Sequence, residues 1–104
     1  PTLVFDEVDA GIGGRTATVL AEKLHRLADA TQVLCITHLP QVAARGQTHY
    51  RIEKRQRGGR TLLAVDRLEG QGRVDEIARM LGGTDSGTEQ AHARELLGRA
   101  AATG

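Results

Sequence analysis

Two carboxylates stand side by side at the end of an apolar run. They are Asp6 and Glu7 in TLVFDEVDAGIGG (Thr2 to Gly14), with Asp9 close behind and small residues after it. Adjacent acids repel each other unless something positive lies near. Magnesium answers that need, because it binds through one or two carboxylates and fills its remaining positions with waters and phosphate oxygens. In a strand, successive side chains point to opposite faces. Asp6 and Glu7 therefore have different jobs: one faces the metal, and the other faces an attacking water as the chain leaves the strand. A second apolar run, QVLCIT, leads into His38. If the two runs are neighbours in one parallel sheet, His38 emerges at the same edge as Glu7. An imidazole there can hydrogen-bond a phosphate or a water beside it. Each feature also has a plainer reading: a solvated acidic turn, and a histidine that caps the segment before Pro40. The two strand ends together favour catalysis, since ligands of open parallel α/β sheets bind at the carboxyl ends of the strands.

The elements that must position these groups follow from hydrophobic spacing. Thr2–Asp6 reads as a continuous apolar strand, of the kind buried on both faces in parallel sheets. A helix is expected from about Arg15 to Ala28. Its apolar face carries Ala17, Leu20, Ala21, Leu24, Leu27 and Ala28, with Glu22 and Arg26 as an i,i+4 pair outside. Gln32–Thr37 is a second buried strand, and strand–helix–strand makes a βαβ unit with a right-handed crossover. Pro40 suits the first turn of a short helix that Gly46 ends. Thr48–Arg55 and Arg60–Leu68 flank RGGR, which predicts an antiparallel hairpin. EGQG then breaks the chain. Val74, Ile77, Ala78 and Leu81 mark a short amphipathic helix stopped by Gly82 and Gly83. Ser86 and Glu89 have capping-box spacing, and the last helix buries Ala93, Leu96, Leu97, Ala100 and Ala101. The fold class is α/β: a parallel βαβ core, then a β-hairpin and two C-terminal helices.

Composition narrows the classes. The 104 residues make one small domain. Hydrophobic residues are 39% of the chain, and its two aromatics are Phe5 and Tyr50, so the core must be thin. A formal net charge of +1 names no partner. The single cysteine, Cys35, sits in an apolar run and fits a reduced intracellular protein. No apolar run approaches the ~18 residues of a membrane span, and no signal peptide is visible. A strand that begins directly after Pro1 suggests a piece of a longer protein. His25, His38, His49, His92 and Cys35 lack finger-like spacing, which argues against zinc.

Taken in order, DEVDAGIGG, VLCITHLPQVAA, EIARMLGG and ARELL resemble the C-terminal lobe of an ABC-type ATPase head of the SMC class, and within it a bacterial DNA-repair branch. The resemblance covers nearly the whole chain and implies a P-loop NTPase fold. It identifies the apolar run ending in Asp6 and Glu7 as a Walker B motif. It implies that Asp6 holds Mg²⁺ through water, that Glu7 is the general base for the attacking water, and that His38 is the switch histidine near the γ-phosphate of ATP. Asp9, Ala10, Gly11, Ile12 and Gly13 would form the D-loop that crosses to a partner head. SMC heads commonly end that loop with an acid, where this chain has Gly13. Implied partners are the N-terminal head lobe of the same protein, a second head in a homodimer, and DNA during double-strand break repair. The implied setting is the bacterial cytoplasm at the nucleoid, with no membrane. Neither GxxxxGK[ST] nor an LSGG-like signature occurs in the chain; in the family both lie earlier. DEVD also resembles the DExD box of helicases, but there the next strand usually ends in a Ser-Ala-Thr type motif, unlike Ile36-Thr37-His38. A non-catalytic interaction domain is the remaining alternative.

Arg51, Lys54, Arg55, Arg57 and Arg60 crowd the expected hairpin. They could meet DNA phosphates, yet no aromatic residues interleave with them to stack on bases. A solvated hairpin tip is the preferred reading.

Overall fold

The computed structural model describes residues 2–6, 14–82 and 87–103. Its elements are β1 (Thr2–Asp6), α1 (Gly14–Leu27), β2 (Gln32–Ile36), α2 (Pro40–Ala43), β3 (His49–Arg57), β4 (Arg60–Leu68), α3 (Gly70–Met80) and α4 (Gly87–Thr103). The architecture is mixed α/β, with one parallel pair of strands and one antiparallel hairpin.

β1 and β2 pair in parallel, with Leu3 opposite Val33, Phe5 opposite Cys35 and Asp6 opposite Ile36. The expected burial on both faces is not found: one face is half-buried at Phe5, Val33 and Cys35, with Leu3 beside them still 40% exposed. Phe5, Val33 and Cys35 pack with Leu20 and Leu39 around a buried cluster of Ala21, Leu24 and Val42. The alternate residues look outward: Val4 is 60% exposed, Leu34 51% and Ile36 41%. Nothing within the described residues covers that side. α1 buries Ala17, Ala21 and Leu24 as its spacing requires, but Leu27, its last residue, and Ala28 after it are exposed. Glu22 and Arg26 are both exposed, where such a pair contributes little in water.

The hairpin is longer than its apolar pattern. β3 continues through Gln56 and Arg57, which pair with Thr61 and Arg60. The Gln56 Nε2 donates to Thr61 Oγ1 at 3.1 Å. Gly58 and Gly59 connect the strands with φ of 56° and 77°, the positive pair required by a two-residue type I′ turn. One face of the ribbon carries charge: Arg51 contacts Glu53 and Asp66, and so does Arg55. The other carries Tyr50, Ile52, Leu63 and Val65, all more than half exposed.

α3 begins at Gly70, inside the EGQG stretch expected to be a break. It ends before Gly82, whose φ is 114°. α3 and α4 enclose a second cluster, Ala44, Ile77, Ala78 and Ala93, with Leu96 and Leu97 against it. Ile77 is the one large side chain fully buried among the described residues, so the core is as thin as the composition implies. Ser86, half of the expected capping box, and Gly83 lie outside the described residues, as do the side chains of Ala100 and Ala101.

Candidate functional site

The two apolar strands bring their carboxyl ends to one edge because they are parallel and in register. Asp6 closes β1 opposite Ile36, the last residue of β2, and His38 follows two positions later. Both Asp6 and His38 are exposed. Asp6 shares the open face of the sheet with Val4, Leu34 and Ile36, as the alternation of β1 and its register dictate. Glu7, Asp9, Ala10, Gly11, Ile12 and Gly13 lie outside the described residues.

The chain around His38 is held on both sides. The Leu39 N–H donates to Thr37 Oγ1 at 3.0 Å, a short side-chain turn that brackets the histidine. Pro40 then opens α2 and is buried, at the helix position where a missing N–H costs nothing. A single exposed carboxylate at a strand end is also a fitting donor for magnesium, which keeps most of its waters.

Charge reasoning on the sequence missed a polar layer around α3. Arg73, on α3, donates from Nη2 to the carbonyls of Ala43 (3.1 Å), Ala44 (3.2 Å) and Gly46 (2.6 Å). Its sequence signal is its position four residues before Ile77, on the stripe of α3 that faces the core. His49 feels the charges of both Arg73 and Glu76. Burial lowers the His49 pKa below its ordinary value, Arg73 pushes it the same way, and Glu76 opposes them. Glu76 is buried and takes two hydrogen bonds from Arg79, Nε to Oε1 at 2.6 Å and Nη2 to Oε2 at 2.9 Å. These bonds hold the Glu76 carboxyl below its usual range against the opposing effect of burial. On the outer side, Gln71 and Gln90 both donate to Asp75 Oδ1, joining α3 to α4 and lowering the Asp75 pKa.

No protein-family model matches the chain. Over nearly its whole length it is nevertheless similar to parts of "DNA repair protein RecN". It is 57% identical over 97 residues to that of Deinococcus radiodurans, 48% over 100 residues to that of Bacillus subtilis, and 51% over 98 residues to that of Streptomyces coelicolor. These alignments cover 93%, 95% and 93% of this chain and 17% of each relative. The chain thus spans about one-sixth of the length of these curated relatives. The likeness to a bacterial DNA-repair protein drawn from the motifs is borne out. No helix among the described residues is long and apolar enough to cross a membrane.

Proposed function

We propose, on the premise that this chain corresponds to a segment of a RecN-like protein, that it is the C-terminal lobe of an SMC-class ATPase head with a P-loop NTPase fold. The whole protein would hydrolyse ATP between two such heads and couple that cycle to DNA double-strand break repair in the bacterial cytoplasm, at the nucleoid. The observation that supports this best is the in-register parallel pairing that sends Asp6 and the His38 segment out at one sheet edge.

Each residue then has one task. Asp6 would hold Mg²⁺ through water, and the ion would offset the charge on the phosphate oxygens. Glu7 would accept a proton from the attacking water as its oxygen bonds to the γ-phosphorus and the bond to the β–γ bridging oxygen breaks, releasing ADP. His38 donates a hydrogen bond to that phosphate, from a backbone fixed by Thr37 and Pro40. Asp9 to Gly13 would reach the partner head. The phosphate-gripping loop and its lysine must come from the N-terminal lobe. The helicase-like alternative rests on the DEVD string alone.

Asp6→Asn in the full-length protein tests this assignment. Loss of a group that orients metal-bound water typically costs 10–100-fold in metal affinity. The magnesium concentration for half-maximal ATP turnover should rise by roughly that factor. An unchanged magnesium dependence would remove Asp6 from the metal site.

The DNA surface lies elsewhere than the hairpin tip in this reading. Arg51 and Arg55 are already paired with Glu53 and Asp66, which leaves Lys54 and, opposite each other beside the turn, Arg57 and Arg60. Changing Arg55, Arg57 and Arg60 together to alanine should weaken DNA binding only slightly. In a log–log plot of affinity against salt, each lost phosphate contact flattens the slope by about 0.9 for duplex DNA. The expected change is below one contact, and a loss of two or more would make the tip a DNA site.

A further inference from the structure

Arg73 does more than seal a helix end. We propose that it is a positioning residue for His38: the polar tie through which the C-terminal half of the chain fixes where the histidine leaves β2. The proposal rests on the catalytic reading of His38 given above.

α2 is a single turn, and a helix that short has no stability of its own. It persists because both of its ends are fastened. At its start, Thr37 accepts the Leu39 N–H, and Val42 is buried with Ala21 and Leu24 beneath the parallel strands. Just past its end, Ala44 is buried with Ile77, Ala78 and Ala93 in the other cluster. α2 is therefore shared between the two cores, and it lies directly after His38. The last carbonyls of a helix have no partner within it. Arg73 supplies one: a single guanidinium nitrogen, with two hydrogens, serves Ala43, Ala44 and Gly46 from a position 27 to 30 residues away in sequence. A cation at that end also meets the negative pole of the helix. Val42 and Ala44 hold α2 by contact area, which tolerates sliding. Directional bonds from Arg73 fix its rotation, and with it the direction in which the preceding residues point.

The test uses the full-length protein with Arg73→Gln, Arg73→Lys, His38→Gln and the double variant Arg73→Gln/His38→Gln. A small misplacement of a reacting group by a distant change can cost up to about 100-fold in rate, so a loss of roughly tenfold in kcat is expected for Arg73→Gln. KM for ATP and the melting temperature should stay close to wild type. Arg73→Lys, which keeps the cation and a donor but not the planar fork, should recover part of the loss. In the His38→Gln background, Arg73→Gln should cost nothing further. Additive losses in the double variant, or a fall in kcat that follows a fall in melting temperature, would overturn the proposal. If the wild-type protein hydrolyses no ATP, the catalytic reading of His38 fails by itself. Amide hydrogen exchange then decides on the tie: Arg73→Gln should speed exchange at Leu39 and at Val42 to Gly46, and unchanged rates there would refute it.

Discussion

Glu7→Gln in the complete protein is expected to bind ATP normally and to hydrolyse it about 10²–10⁴-fold more slowly, the usual worth of a positioned general base. Glutamine keeps the shape of the side chain but cannot accept the water's proton. It also removes a negative charge beside the triphosphate, so nucleotide affinity should hold or rise. With binding intact and hydrolysis blocked, the protein should accumulate as ATP-bound dimers, visible by light scattering. Single-turnover measurement is the right assay, because steady-state rates also carry product release. Turnover near the wild-type rate would take Glu7 out of the base role, while leaving Asp6 and His38 to be judged by their own variants.

The 104-residue chain by itself is expected neither to bind nor to hydrolyse ATP measurably. In a P-loop NTPase the affinity for a triphosphate comes mainly from backbone N–H groups and a lysine in a phosphate loop, and no such motif occurs in the sequence. What the chain offers is Asp6, Glu7 and Asp9, which repel phosphate unless magnesium bridges them, and magnesium relies on substrate phosphates to complete its site. The described structure adds a second reason. Val4, Leu34 and Ile36 flank Asp6 on an uncovered sheet face, and Tyr50, Ile52, Leu63 and Val65 line another. Such patches favour aggregation. Calorimetric titration with Mg·ATP, beside an NMR spectrum of the pure chain, measures both effects. Micromolar binding with well-dispersed resonances would mean that the site is complete within these residues.

Much of the fold was legible because its signals are local. Two apolar runs around an amphipathic helix announced the parallel pair, and RGGR announced the hairpin. The edge shared by Asp6 and His38 followed from that topology. What was not legible depends on partners distant in sequence. One-sided burial of β1 and β2 follows from where α1 and α2 lie, and the strand composition alone cannot report it. Leu27 and Ala28 continue the apolar spacing of α1 but are exposed among the described residues. The extra length of β3 is carried by Gln56 and Thr61, whose cross-strand hydrogen bond leaves no hydrophobic trace. The role of Arg73 was not read from the sequence, because its three acceptors lie 27 to 30 residues away. For Glu7 and the Asp9–Gly13 loop, the sequence remains the guide, since they lie outside the described residues.

The turn at Gly58 and Gly59 has a consequence for chirality. Both residues have positive φ, and a β-carbon added at either would meet no atom within 4 Å. Space is therefore not what excludes other residues there. The obstacle is handedness, because an L side chain clashes with its own backbone in this region whereas a D side chain does not. The tip is thus a point on the chain where a mirror-image residue suits the backbone better than a natural one. A D-alanine there would narrow the unfolded ensemble without straining the folded turn. That makes it a natural seam for joining a synthetic half of the hairpin to the rest.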